Sequence, residues 1–372
     1  MDESMNPRIN MNPRIKRLIN LAMILVPLMI VLVIGFSDNS LPESWKAVRS
    51  MNIKWVILAV LCFIGFLSMD ALSLKYFLFR QGYNIRFHDL MFVSIVGQYY
   101  SNITPGASGG QPMQVYYLHK KDVPTGMATS AVVVRFFCFQ VMLSVIGTVL
   151  WIRYGAYIAE HTGGNKWILI VGYIYNVVMV VGVSFLALSK QAIHKLLSWC
   201  IRIGTRLHWI RHPESTQHRI EKSEETFHDS LTYFRHHPID LVIQMLIGGL
   251  QLMFLMSVLV MIYHGLGLSG ATYGQLVAMN VCEFLAAAYT PLPGASGAQE
   301  GVFGLFFGKI FPENLLVAAL LLWRFFTYYI GILLGITVIT LHGVLEGNSV
   351  REAAKASENM LEEVMEQKST DK

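Results

Sequence analysis

The chain has 372 residues, of which 54% are hydrophobic and only 14% charged. A soluble domain carries about 25% charged residues, so the composition excludes a disordered chain, a coiled coil and an ordinary soluble enzyme, and it points to a multispanning membrane protein. The 29 Lys+Arg against 24 Asp+Glu leave a dispersed formal charge of +5, which fits membrane topology better than nucleic-acid binding.

A basic tail, residues 1–17, precedes an apolar run at 18–36. No small-residue cleavage site follows that run, so it reads as a retained helix rather than a signal peptide. Further apolar runs lie at 53–77, 127–151, 167–188, 239–263 and 315–342. Each approaches or exceeds the roughly 20 residues that cross a bilayer core of about 30 Å. Two apolar segments, 90–118 and 275–310, differ. The first is broken by Thr104–Pro112 and the second by Thr290–Gln299. Their flanks are too short to span, so each segment predicts a hairpin of two half-helices that enters and leaves on one side. The expected fold class is an all-α integral membrane protein with about six full spans plus two re-entrant hairpins. The expected organisation is a first membrane half at 18–189, an amphipathic linker at 190–237, a second half at 238–343 and a charged tail at 344–372.

Basic residues set the orientation. They gather in the N-terminal tail, in Lys75–His88, at Lys120 and Lys121, and in 190–237, which holds eight Lys/Arg. Gly265–Thr272 has no charge. The positive-inside rule therefore predicts a cytoplasmic-membrane protein with both termini and the 190–237 segment in the cytoplasm. The mix of Trp199, Trp209 and aliphatic residues with bases in that segment predicts an interfacial helix that attracts anionic inner-leaflet lipid. On this orientation the two hairpins enter from opposite sides, which makes the halves an inverted repeat.

The interruptions match in sequence. Pro105-Gly106-Ala107-Ser108-Gly109-Gly110-Gln111 aligns with Pro293-Gly294-Ala295-Ser296-Gly297-Ala298-Gln299, identical at six of seven positions at an offset of 188 (293 − 105). Arg135-Phe136-Phe137 recurs as Arg324-Phe325-Phe326 at 189 (324 − 135). An internal duplication of this kind points to a repeat architecture, and opposed Gly/Pro-broken segments mark a transporter's binding site. Pro105, Gly106, Pro293 and Gly294 form the expected turns. Ser108 with Gln111, and Ser296 with Gln299, have capping-box spacing, so a helix is expected to start after each serine. Such helix starts, with Gly109, Gly110 and Gly297, present free N–H groups that suit an anion such as phosphate.

Arg135 and Arg324 lie well inside apolar runs, where a charge costs at least about 2.5–3.5 kcal/mol and so needs a partner or a polar cavity. Arg can grip phosphate with two parallel hydrogen bonds. Glu283 and Glu300 lie in the second hairpin, with no acidic counterpart in the first. They read either as charge partners of the two arginines or as headgroup contacts. Asp70 reads as a structural or interfacial charge. Cys62, Cys138, Cys200 and Cys282 show no C-x-x-C, and the twelve histidines show no metal spacing. There is no Walker A loop. No cofactor, metal or catalytic residue is expected.

The paired Pro-Gly-Ala-Ser-Gly-x-Gln motifs, each followed by an intramembrane Arg-Phe-Phe, resemble those of the lysylphosphatidylglycerol synthase transmembrane-region family over residues 15–343. The resemblance implies a flippase-like membrane domain that moves aminoacylated phosphatidylglycerol or related polar lipids between leaflets. The bifunctional members carry a soluble aminoacyl-transferase domain after the membrane part. Residues 344–372 have no room for one, so aminoacyl transfer is not expected here. The resulting expectation is a lipid translocase for an anionic or aminoacylated phospholipid or lipid-linked phosphate, held by Arg135, Arg324 and the two helix starts. An integral-membrane lipid transferase and a non-transporting partner of a separate lipid synthase stand as alternatives.

Overall fold

The computed structural model describes residues 46, 48–163, 166–188, 232–234, 236–287, 294–295 and 297–343. The first apolar run at 18–36, the 190–237 segment up to residue 231 and the tail at 344–372 lie outside the described residues. The described residues are helical, with no strand among them. Helix α1 is Ile53–Arg80, α2 Phe87–Ile103, α3 Gly110–His119, α4 Thr125–His161 and α5 Lys166–Leu188. Helix α6 is Pro238–Gly265, α7 Tyr273–Ala287 and α8 Ala298–Phe307. Helix α9 starts at Glu313 and runs through a π turn, Phe325–Tyr329, to Gly343.

Four of these helices, α1, α4, α6 and α9, are long and apolar enough to cross a membrane. The 28 residues of α1 reach about 42 Å at 1.5 Å per residue. By contrast α3 and α8 have 10 residues each, about 15 Å, or half a bilayer core. The sequence expected the third long run to end at Trp151. Helix α4 instead continues to His161 past a kink at Tyr154, where φ is −122° and ψ is 16°.

The surface is inverted relative to a soluble protein. Ile57, Leu61, Val149, Ile152, Val178, Leu246 and Leu333 are exposed, whereas Asp70, Gln114, Gln244, Gln251, Asn280, Glu283, Glu300 and Arg324 are buried. Apolar surface on this scale is tolerable only against another apolar phase, and polar groups turned inward are what a hydrocarbon solvent demands.

Helices α1 and α6 form the central antiparallel pair. Ser73 Oγ donates to Gln244 Oε1 at 2.6 Å, and Gln244 Nε2 returns a bond to the Ser73 carbonyl at 3.0 Å. At the end of α1, Asp240 accepts from Tyr76 Oη at 2.6 Å, Arg80 Nε at 2.9 Å and Tyr233 Oη at 2.5 Å. Three donors hold one carboxylate where α1 stops and α6 starts. Apolar packing in a membrane gains little from desolvation, so such polar ties and close backbone approach supply the specificity.

Two helix pairs are inserted into this frame. Helices α2 and α3 lie antiparallel: a Cβ on Gly97 would fall 2.5 Å from Gln114, and one on Gly110 would fall 1.9 Å from Ser101. The outer ends of the pair meet, where Lys121 Nζ bonds Asp89 Oδ1 at 2.6 Å, beside the Arg80 end of α1. The ends of the α7–α8 pair meet at the opposite end of α6. There the Ala271 N–H donates to Tyr263 Oη at 3.0 Å, and Phe311 packs on the Tyr263 ring at 5.5 Å.

The repeat is also visible in backbone geometry. Helix α3 at 110–119, shifted by 188, gives 298–307, which are the bounds of α8; the start of α4 at Thr125 gives 313, the start of α9. Each repeat is a long helix, a broken helix pair and a second long helix. Pro124 and Pro312 both precede their long helix, while the arginines are offset by 189. A π turn, which takes up one more residue than an α turn, begins directly after Arg324.

Helix α5 packs on α7 where a Gly172 Cβ would sit 2.0 Å from the Leu285 carbonyl oxygen, a backbone atom that cannot step aside. Gly182, further along α5, has nothing within 4 Å of its Cβ position. Gly172→Ala is expected to cost about 1–3 kcal/mol, as overpacking does, and Gly182→Ala close to nothing. Thermal unfolding of the two variants in detergent checks this.

Candidate functional site

The two broken turns meet near the middle of the molecule. Gly106 and Ala107 have φ of 58° and 54°, and Gly294 and Ala295 have 58° and 50°. The same two consecutive left-handed residues thus occur in both repeats. An alanine there is held against a cost of about 1–2 kcal/mol. A Cβ on Gly294 would fall 2.2 Å from the Tyr328 ring, so that position needs glycine for approach as well as for φ. Tyr328 ties the tips together. Its carbonyl accepts from Asn102 Nδ2 at 3.1 Å, and its hydroxyl donates to the Asn102 carbonyl at 3.2 Å.

The expected serine caps do not form as read. Ser108 Oγ donates back to the Pro105 carbonyl at 2.9 Å, and the N-cap of α3 is Gly109. The side chain near that start is Thr104, whose Oγ1 accepts from the Gly109 N–H at 2.8 Å. Gln111 is exposed and caps nothing in this geometry. In the second repeat the N-cap is Gly297, and Glu300 Oε2 accepts its N–H at 2.5 Å. This is the reciprocal half of a capping box, one residue later than the spacing of Ser296 and Gln299 predicted. Gln299 is drawn away by an arginine. Pro293 and Ser296 lie outside the described residues.

Each arginine is held in a hydrogen-bonded network. Arg135 on α4 donates from Nη1 to Asp70 Oδ1 and from Nη2 to Gln114 Oε1, the latter at 3.1 Å. Asp70 also accepts from Gln114 Nε2 at 3.1 Å and from Gln251 Nε2 at 2.9 Å. Four helices, α1, α3, α4 and α6, therefore converge on one carboxylate. Arg324 on α9 donates from Nε to Glu300 Oε1 at 2.7 Å and from Nη1 to the Gly294 carbonyl at 3.0 Å, with a further bond to Gln299 Oε1. Its guanidinium also lies over the Trp323 and Tyr328 rings.

These networks correct the expected pairing. Arg135 takes Asp70, not an acid of the second hairpin. Glu300 neutralises Arg324, but Glu283 makes no hydrogen bond to either arginine. Asp70 is buried, so it is structural and not interfacial. The reason lies in geometry that linear spacing does not carry: Asp70 faces the hairpin because α1 packs along α2 and α6. Gln114 and Gln251 were not singled out from the sequence. A glutamine in the middle of an apolar run was the available signal.

Between the repeats lies a cavity of about 570 Å³. It is lined by Gly106–Ser108, Gly110 and Gln111 from the first turn and by Gly294, Ala295 and Gln299 from the second. Arg135, Arg324, Asp70, Gln114, Gln251 and Asn280 also line it. Gly109, Gly297, Glu300 and Glu283 are not among the lining residues. Both arginines thus border one space. Both arrive with carboxylates, so the set Arg135, Asp70, Arg324 and Glu300 sums to zero rather than to a bare anion trap. Arg135 Nε, Arg324 Nη2, Gln251 Oε1 and Asn280 Oδ1, all on lining residues, make no hydrogen bond.

The sequence model of the family described as lysylphosphatidylglycerol synthase TM region matches residues 18–335, and the chain belongs to that family. It is similar to a UPF0104 membrane protein of Archaeoglobus fulgidus, 23% identical over 304 residues that cover 78% of this chain and 88% of the relative. A UPF0104 membrane protein of Methanocaldococcus jannaschii is 22% identical over 298 residues, 78% and 85% of the two chains. A third, of Methanothermobacter thermautotrophicus, is 23% identical over 320 residues, 81% and 89%.

Removing one member of a buried ion pair strands the other, at about 3–5 kcal/mol. Asp70→Leu and Arg135→Leu are each expected to lose stability on that scale, and the double variant less than the sum of the two. A double-mutant cycle on thermal unfolding in detergent measures this coupling; additive losses would count against the network.

Proposed function

We propose that this member of the lysylphosphatidylglycerol synthase transmembrane-region family is a lipid translocase. It takes the headgroup of a phospholipid or lipid-linked phosphate into the central cavity and passes it between leaflets of the cytoplasmic membrane. The observation that carries this reading is the cavity between the two repeats, lined by both broken turns and both arginines. In this reading the α2–α3 and α7–α8 pairs are re-entrant hairpins entering from opposite faces. The base-rich face holding Arg80, Arg86, Lys120 and Lys121 is cytoplasmic.

The paired charges favour a particular headgroup. A phosphate approaching Arg135 or Arg324 displaces Asp70 or Glu300, which then needs a cation of its own. A headgroup carrying both phosphate and ammonium satisfies both sides of the exchange, and an aminoacylated phospholipid is of that kind. Phosphate binds the guanidinium fork as the carboxylate did, and the released carboxylate takes the ammonium. The helix starts at Gly109 and Gly297 add positive dipole ends near the phosphate. Rocking of one repeat against the other then opens the cavity to either side.

Purified protein in liposomes tests this with three lipids: an anionic phospholipid, its aminoacylated form, and a zwitterionic one. Movement faster than in protein-free liposomes is expected, greatest for headgroups that carry an ammonium. Arg135→Lys keeps the charge but loses the fork, and Arg324→Lys does the same. Each is expected to slow movement about 10-fold or more, the loss of one or two charge-assisted hydrogen bonds. Gly182→Ala, on α5 away from the cavity lining and with nothing within 4 Å of its Cβ position, controls for expression and folding. Lipid movement that survives both lysine variants would remove the arginines from the site. No movement of any lipid would remove the translocase reading, leaving a lipid transferase or a partner of a lipid synthase.

A further inference from the structure

Glu283 lies on α7, the first arm of the second hairpin, with none of its surface exposed. Neither carboxylate oxygen accepts a hydrogen bond. Its neighbours Val281, Cys282 and Leu285 belong to the apolar core. From α4, Phe139 closes on Phe284 with ring centroids 6.5 Å apart, and Gly147 faces Val281 and Leu285. Helix α5 brings Gly172 to Leu285, and α6 brings the Met256 carbonyl to Asn280. The charged groups whose fields reach Glu283 are Glu300 on α8 and Arg324 on α9, and these are already bound to each other.

An ionised carboxylate without a donor in such surroundings is among the costliest arrangements a fold can hold. A carboxyl that keeps its proton avoids the cost. Asn280, one turn earlier on the same face, lines the cavity, and its Oδ1 also lacks a donor. Phe284, Gln299 and Arg324 line the cavity as well. Glu283 is thus one side chain behind the cavity wall. A metal cation would need a shell of several oxygens, whereas a proton needs only the carboxyl. The position at the repeat offset is Ile95 (283 − 188), so the first repeat carries no equivalent acid.

We propose that Glu283 is a proton-binding site behind the cavity wall, protonated in the conformation described here and emptied into the cavity when the second hairpin moves off α6. On release the carboxyl O–H bond breaks, the proton passes to cavity water, and the remaining carboxylate faces Arg324. Arg324 can then leave Glu300 or bridge both acids. The coupling of this site to transport rests on the translocase reading, whereas the site itself does not. In the cycle, one proton crosses with or against each headgroup.

The test uses the full-length protein in lipid nanodiscs. Infrared difference spectra between neutral and strongly alkaline pH are compared for wild type and Glu283→Gln. A protonated-carboxyl carbonyl band is expected in wild type and is expected to be missing from Glu283→Gln, which mimics the neutral side chain and should unfold at a similar temperature. Spectra that do not differ between the two overturn the site. If the glutamine variant does not fold, Glu283→Asp should shift the band, and an unmoved band likewise overturns it. Stabilisation by sodium over choline that Glu283→Gln abolishes would replace the proton with sodium. In proteoliposomes with an imposed pH gradient, wild-type lipid movement is expected to change several-fold on reversing the gradient, and Glu283→Gln movement not at all. Wild-type movement indifferent to the gradient overturns the coupling. Absence of any lipid movement counts against the translocase reading, while the carbonyl band still decides the proton site.

Discussion

The structure turns on one constraint: two guanidinium groups must be held in the middle of an apolar helix bundle. Each is met with a carboxylate and with amide side chains, and the elements that supply those partners are the ones the bundle brings together. Asp70 gathers bonds from Arg135, Gln114 and Gln251, so α1, α3, α4 and α6 are fixed by one group. Arg324 binds Glu300, Gln299 and the Gly294 carbonyl, so α8, α9 and the second turn are fixed by another. A buried pair of this kind contributes little net stability over an apolar replacement. Each repeat nevertheless carries one, with its carboxylate drawn from a different element.

The repeats are alike in backbone and different in chemistry. Both turns use two left-handed residues after a proline position, and both second arms are 10 residues long. The acid is supplied differently: from the long helix α1 in the first repeat and from the N3 position of α8 in the second. There Glu300 both caps Gly297 and pairs Arg324. Pro112 occupies the corresponding place in the first repeat and has no such ability. Glu283 adds a further asymmetry, because its repeat partner is aliphatic. A duplicated scaffold with unequal acids gives a cavity whose two sides differ in chemistry.

Much of this could be read from the chain before folding was considered. Long apolar runs gave the long helices, because a helix satisfies its own backbone in hydrocarbon wherever the residues are apolar. The Gly/Pro interruptions gave the broken pairs, and the motif offset gave the repeat, since identical turn residues impose identical backbone conformations. The cap assignments were less legible. Ser108 turned back on Pro105 and Gln299 went to Arg324, because capping competes with whatever other partner the folded chain brings within reach.

The sequence by itself determined that the chain is a helical membrane protein of this family, that its halves share a broken turn, and that Arg135 and Arg324 needed partners. Those facts follow from local composition and from residues close in sequence. Only the tertiary structure decided who the partners are: Asp70 lies 65 residues from Arg135, and Gln251 lies 181 residues from Asp70. It alone showed that both arginines border one cavity and that Glu283 stands apart without a donor. Ion pairing and burial are properties of distance in space, and a helix bundle sets those distances by which faces pack together.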